Sequence, residues 1–156
     1  MKHIIALMAF CSLTASAADD VSMIVGFGSH HFKSDHYNEN NPAIGVKINQ
    51  FDLVFVTKNS VGSPSFQMAW NHELFKITET NTAIGLRLGI ATGYHKGAQW
   101  NNGCCRYEYT GSPVEIGSSG VLPFFAINVQ QKLFDHVYAD VSINQDLLMF
   151  GGEYKF

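Results

Sequence analysis

The sequence predicts an all-β protein, an eight-stranded antiparallel transmembrane β-barrel. Three observations predict it. Eight segments alternate with period two, so that successive side chains point to opposite faces of a strand. One parity of these segments is large and apolar, while the other holds Gly, Ala, Asn, Gln, Arg, Asp and Glu, which suits the inside of a narrow barrel whose outside faces lipid. The chain ends in Tyr154-Lys155-Phe156, with the terminal aromatic on the apolar parity.

The first segment reads as an address. Lys2 gives a positive start, Ile4 to Leu13 an apolar run, and Ala15-Ser16-Ala17 a small-residue cleavage pattern, so residues 1–17 are expected to be a signal peptide and 18–156 the barrel domain. That run is too short to span a membrane as a helix. Export would carry the chain to a disulfide-permissive compartment, where only the adjacent Cys104 and Cys105 remain; neighbours cannot staple distant segments.

The strands follow in order. About Val21–Phe32, the parity Val21, Met23, Val25, Phe27 alternates with Ser22, Ile24, Gly26, Gly28. About Ala43–Asn49, Ile44, Val46 and Ile48 alternate with Ala43, Gly45 and Lys47. The third, about Asp52–Ser60, is mixed: Leu53 and Phe55 against Val54 and Val56. The fourth sets Phe66, Met68 and Trp70 against Gln67, Ala69 and Asn71. The fifth is the clearest, with Ile84, Leu86, Leu88 and Ile90 against Gly85, Arg87, Gly89, Ala91 and Gly93. The sixth alternates Phe125, Ile127 and Val129 with Phe124, Ala126, Asn128 and Gln130. The seventh runs Val137, Ala139, Val141, Ile143 against Tyr138, Asp140, Ser142, Asn144, and the last Leu148, Phe150, Tyr154, Phe156 against Leu147, Met149, Gly151, Glu153, Lys155.

Composition narrows the function. The chain has 156 residues, enough for one domain, and Lys+Arg 10 against Asp+Glu 13, a net charge of −3 that excludes nucleic-acid binding by bulk basicity. With both termini on the periplasmic side, turns near Gln50, Thr80 and Asp135 lie on that side, and Lys33–Asn41, Gly62-Ser63, Lys96–Gly120 and Gln145 lie outside. The inward charges Lys47, Arg87, Asp140, Glu153 and Lys155 then gather in the lower half with Asn128 and Gln130, where they can pair. The upper half holds small or apolar residues. Gly26, Gly28, Gly45, Gly89, Ala91, Gly93 and Met149 are expected to line an acyl-binding slot, against the alternative that the glycines only let a small barrel close and bend.

Chemistry is expected at the outer rim. The first strand ends Gly28-Ser29-His30-His31 and the third Thr57-Lys58-Asn59-Ser60, so a histidine and a serine can meet there. A hydroxyl with a base in hydrogen-bond reach can act as an acyl nucleophile. His30 rivals His31 as that base. The spacing of His30, His31 and His36 is not specific to a metal, and neither metal nor cofactor is expected.

These residues resemble the lipid A palmitoyltransferases of outer membranes, the PagP type. The stretch His31 to Glu39 with Gly45 looks like that family's catalytic histidine, first outer loop, Tyr-Asn-Glu and second strand; Lys58-Asn59-Ser60 looks like its Lys-Asp-Ser; Gly85–Gly93 and Pro113–Phe124 look like its fifth strand and the approach to its sixth. The resemblance implies a monomeric outer-membrane barrel that moves a palmitoyl chain from phospholipid to lipid A, with His31, Asn59 and Ser60 at catalytic positions; that family's strand prolines for sideways lipid entry have no match at the same places, and Pro42 and Pro123 are the candidates to serve instead. Asn59 stands where that family has an acid. The other expectation is a non-catalytic barrel that remodels the surface or blocks a partner through its outer loops, to which Trp100, Tyr107 and Tyr109 point.

Overall fold

The computed structural model describes residues 20–33, 36–102, 105–117 and 119–156. The expected signal peptide and Cys104 lie outside the described residues. Ten strands form: β1 (Val21–His31), β2 (Ala43–Ile48), β3 (Phe51–Val56), β4 (Ser65–Ile77), β5 (Thr82–Ala91), β6 (Gln99–Asn102), β7 (Cys105–Glu108), β8 (Leu122–Phe134), β9 (Val137–Ile143) and β10 (Leu147–Lys155). Eight of them close an antiparallel barrel in the order β1-β10-β9-β8-β5-β4-β3-β2, while β6 and β7 pair separately as a hairpin inside the long loop. Closure gives each barrel strand two neighbours and removes the sheet edges.

The alternation read from the sequence sets the two surfaces. Phe27, Leu53, Phe66, Met68, Leu88, Ile90, Phe125, Ile127 and Phe150 all lie exposed on the outside. Val54, Val56, Ala69, Ala126, Ser142 and Glu153 are buried inside. The mixed third strand is explained by this split: Val54 and Val56 face inward with Asp52, and Phe51, Leu53 and Phe55 face outward. At one end the turns are tight, and each uses a residue with positive φ: Asn49 at 55°, Asn81 at 53° and His136 at 69°. At the other end the connections are longer except for the short one between β9 and β10, and there β3 stops at Val56 rather than running on to Ser60.

The lower interior is a polar plug. Lys47 Nζ lies 3.2 Å from Glu153 Oε2, and Arg87 Nη2 lies 3.1 Å from Asp52 Oδ2. Gln130 donates to Glu153 at 2.7 Å, and Asn128 donates to both oxygens of Asp140 at 2.9 and 2.8 Å. The expected pairing is present, with Asp52 as a member that the sequence reading did not include. Phe124 roofs the plug: the Arg87 guanidinium sits 5.8 Å from the centre of its ring.

Asp52→Ala strands Arg87 in the interior and is expected to destabilise the barrel by about 3–5 kcal/mol. Asp52→Ala with Arg87→Met should recover most of that loss. Urea unfolding in detergent micelles measures Asp52→Ala, Arg87→Met and the double variant; a double loss equal to the sum of the two single losses would show that the pair is not coupled.

Candidate functional site

Strict alternation in β1 puts Val21, Met23, Val25, Phe27, Ser29 and His31 on one outward face. The register against β10 instead shifts by one residue between Gly26, opposite Gly151, and Gly28, opposite Phe150. Phe27 is the extra residue of a β-bulge, which reverses the parity beyond it. Ser29 and His31 therefore turn inward, opposite Met149 and Leu147, and His30 turns out. The side chain of His31 is 4% exposed and that of His30 60%, which settles which histidine enters the barrel.

Beyond the bulge the ladder with β2 ends at Gly26 and Ala43. The Ser29 N–H goes to the Glu39 carbonyl at 2.9 Å instead, so the loop between β1 and β2 lies against the end of β1. Each residue type in Tyr37-Asn38-Glu39 then has a role. The Tyr37 ring packs on the His31 ring with centroids 4.9 Å apart. The Asn38 backbone N–H donates to Ser60 O at 2.9 Å, and its amide donates to Asn59 O at 3.0 Å. Glu39 Oε1 accepts the His31 backbone N–H at 2.8 Å. Asn41 completes the lacing with a 3.0 Å bond to Lys58 O. These bonds fix the loop from Thr57 to Pro64 against the end of β1.

The result brings His31 Nε2 to 2.9 Å from Ser60 Oγ. On the other side of the ring, Nδ1 faces Glu39 Oε1 at 3.8 Å, within ion-pair reach but longer than a hydrogen bond. The His31 backbone N–H holds the Glu39 carboxyl below its usual value, with the nearby imidazoles adding to the effect against the cost of burial. Glu39 is thus a carboxylate at neutral pH, and its charge is lost as pH falls through that lowered value. Tyr94, in the loop after β5, has its phenol beside Ser60, and both line the two cavities of the mouth. Burial pushes that phenol up, so it stays protonated and can donate a hydrogen bond beside Ser60.

Asn59 has a different place from the one expected. Its Oδ1 accepts the N–H groups of Val61 and Ser63, each at 3.0 Å, and its Nδ2 donates to Gly93 O at 3.1 Å. All three bonds hold the turn that carries Ser60; none touches the imidazole. The acidic group beside His31 is Glu39, from the other loop. Sequence order could not pair it with His31, because the contact depends on the bulge.

Two cavities meet at Ser60. The outer one, about 790 Å³, takes in His31, Ser60 and Tyr94 with Val61, Val114 and Leu122. Such a volume falls in the range of roughly 300–1,000 Å³ typical of small-molecule sites. The inner one, about 110 Å³, lies within the barrel. It is smaller than the roughly 150 Å³ apolar cavity that holds one benzene ring, so it has no room for an acyl chain. Gly26 and Gly28 line the inner cavity, Ala91 lines the outer one, and Met149 lines both. Gly45, Gly89 and Gly93 line neither. A Cβ on Gly45 would meet Leu53 O at 2.5 Å, one on Gly89 would meet Met68 O, and Gly93 has φ +84°. These three mark close backbone approaches and a turn, not ligand space, and Phe124 fills the region beside Gly89.

The outer cavity also reaches the barrel wall. β8 pairs with β5 from Leu122 onward, but its ladder with β9 starts only at Ile127 and Ile143. Pro123, which has no N–H to donate, lies in this unpaired stretch. The cavity is lined by residues 122–125 on one side of the notch and 144–147 on the other.

Trp100 and Tyr109 are buried at 8% exposure each, packed on Val61, and Trp100 donates to His36 O at 2.6 Å. Tyr37 stacks on Trp100 with centroids 5.7 Å apart. The aromatic loop is therefore a cap over the His31–Ser60 pair, with the β6–β7 hairpin as its frame. Among the described residues, Trp100 and Tyr109 do not form an exposed aromatic surface for a partner.

Fold and site together define an eight-stranded barrel with a histidine–serine pair and a flanking carboxylate under an aromatic cap at one mouth. The chain matches no protein-family model and no curated protein.

Asn59→Asp loses the donor to Gly93 O and puts a charge where the side chain is buried. It is expected to lower stability by about 1–3 kcal/mol or more, read as the midpoint of urea unfolding in micelles. An unchanged midpoint would show that the amide does not hold the turn.

Proposed function

We propose that this protein is an outer-membrane acyl-transfer enzyme, which takes an acyl chain from a phospholipid through Ser60 and passes it to lipid A. The observation that carries the reading is the 2.9 Å contact between His31 Nε2 and Ser60 Oγ at the base of a cavity of about 790 Å³. The belt of exposed Phe, Leu, Ile and Met around the wall supports a lipid surrounding. The notch beside Pro123 supports sideways entry of a lipid chain. The resemblance of His31, Tyr37-Asn38-Glu39 and Lys58 to Ser60 to the palmitoyltransferases supports phospholipid as donor, palmitoyl as the chain and lipid A as acceptor.

The chemistry follows from the residues. Ser60 Oγ attacks the ester carbonyl carbon while His31 Nε2 takes its proton. The Glu39 carboxylate stabilises the imidazolium, and contacts of this kind often tighten only when substrate is bound. The neutral Tyr94 phenol donates toward the developing oxyanion. His31 gives its proton to the departing alkoxide, leaving an acyl-Ser60. A hydroxyl of lipid A then attacks the acyl carbon as His31 takes its proton, the bond to Ser60 Oγ breaks, and Oγ receives that proton from His31. No metal or cofactor enters these steps.

Ser60→Ala and His31→Ala should each lower acyl transfer by about 10²–10⁴-fold, and the double variant should be little worse than either. Glu39→Gln keeps an oxygen for the His31 N–H, so a comparable loss there reports the charge. Mass spectrometry of lipid A from cells with and without the protein provides the readout, and heat-modifiable gel migration reports an inserted barrel. Identical lipid profiles in both strains, or a protein that stays monomeric in buffer without detergent, would overturn the reading.

A further inference from the structure

Two charged side chains at the outer cavity have no part in the acyl-transfer steps. Lys33 follows β1, Asp146 lies in the turn between β9 and β10, and both line the cavity that holds His31 and Ser60. Histidines aside, Lys33 is the one cation and Asp146 the one anion among the described residues of that lining. The Lys33 ammonium donates to Asp146 Oδ1 at 2.6 Å. Asp146 is also near enough to the His31 imidazole to act on it electrostatically. The turn does not depend on this side-chain pair. The Phe32 N–H donates to Asp146 O at 2.9 Å, and Asn144 Oδ1 accepts the N–H groups of Asp146 at 2.8 Å and Leu147 at 3.0 Å. The side chains of Lys33 and Asp146 are 70% and 50% exposed. An ion pair so open to water adds little stability, so a ligand can part it at small cost. One positive and one negative group are thus held side by side, on backbone fixed by other bonds, at the edge of the cavity.

We infer that Lys33 and Asp146 form a headgroup site, which selects as acyl donor a zwitterionic phospholipid whose headgroup ends in a primary ammonium, the phosphoethanolamine kind. The inference rests on the acyl-transfer reading above and names the donor's headgroup. Such a headgroup carries one anionic phosphate and one ammonium a short chain apart, the complement of the side-chain pair. The phosphate accepts from the Lys33 ammonium, and the ligand's ammonium donates to the Asp146 carboxylate. One exposed ion pair is exchanged for two charge-assisted contacts. Residues 144–147 stand across the notch from residues 122–125, so the headgroup lies on the polar side while Leu122, Phe124 and Phe125 receive the chain. A trimethylammonium headgroup has no N–H for Asp146. A glycerol headgroup leaves the lipid with a net negative charge and no cation, and Asp146 repels it. Asp146 therefore sets the choice among donors, whereas Lys33 meets the phosphate that all of them share.

The test is a competition with the full-length protein in micelles of a neutral detergent, with lipid A as acceptor. Phosphatidylethanolamine, phosphatidylcholine and phosphatidylglycerol are present together in equal amounts, each with palmitoyl chains of a different deuterium content. The mass of the acylated lipid A then reports which donor was used, as a ratio of kcat/KM values. The ethanolamine donor is expected to lead each of the others by roughly 2–5-fold, the worth of a partly exposed charge contact. Asp146→Asn should bring the three donors level. Any effect of that change through the His31 imidazole acts on all donors alike and leaves their ratio untouched. Lys33→Gln should slow all three donors while the ethanolamine lipid stays ahead, and heat-modifiable migration shows that each variant folds. Equal use of the donors by the unaltered protein, a lead for another headgroup, or a lead that survives Asp146→Asn overturns this inference and leaves acyl transfer standing. No acylated lipid A from any donor brings down the acyl-transfer reading and this inference with it.

Discussion

A strand can show a residue to only one of two faces, and the outer mouth of this barrel depends on a single departure from that rule. Phe27 is one residue more than the ladder with β10 accommodates. Had alternation continued, Ser29 and His31 would point the same way as Met23 and Val25, out onto the apolar outer surface. The bulge turns both inward and sends His30 out. It also ends the ladder with β2 early, and that leaves the Ser29 N–H for the carbonyl of Glu39. The inward imidazole and the nearby carboxylate are thus two consequences of one extra residue. Ser60 follows at one remove, through the bonds from Asn38 and Asn41 to the neighbouring loop.

Much of the fold was legible because a barrel wall imposes opposite demands on its two faces. Ile84 to Ala91 could be read directly, since outward and inward residues there differ in both size and polarity. The plug was legible for the same reason: Lys47, Arg87, Asp140 and Glu153 on the inward parity have nowhere to go except toward one another. Asp52 was harder, because it opens a strand whose next inward residues, Val54 and Val56, are apolar. The bulge left no mark in composition, and a one-residue slip in parity is invisible until the partner strand fixes the register. The β6–β7 hairpin escaped because four-residue strands carry too few alternations to distinguish from a loop.

The site was legible in part. His31 and Ser60 were paired from the ends of two strands that run the same way, but their side chains meet because the bulge turns His31 inward and the loop after β3 carries Ser60 to it. The acid was sought next to Ser60 in the chain, where Asn59 stands. The fold supplies it from across space, and Asn59 spends its amide on the turn. The glycines mislead for a physical reason. In a narrow barrel a missing Cβ gives room first to neighbouring backbone, as at Gly45 and Gly89, and only then to a ligand.

The interior consequently has two tiers with different energetics. Below Phe124, charged groups are held by mutual pairing, and an apolar chain entering there would have to displace bonds such as Lys47–Glu153 and Arg87–Asp52. Above it, apolar walls and the notch beside Pro123 suit a hydrocarbon chain. His31 and Ser60 lie at the boundary. A reacting ester has the same division, with an apolar chain on one side of its carbonyl and polar oxygens on the other. In the proposed reaction a pair at that height needs no deep acyl slot in the barrel, because the chain would lie outward while the carbonyl alone would face the polar groups. The aromatic cap completes the arrangement: with Trp100 and Tyr109 buried against Val61, it shields the imidazole, whose side chain is 4% exposed, while the Glu39 carboxylate on the other side of the ring stays 43% exposed and its pull on the imidazole is moderated by solvent.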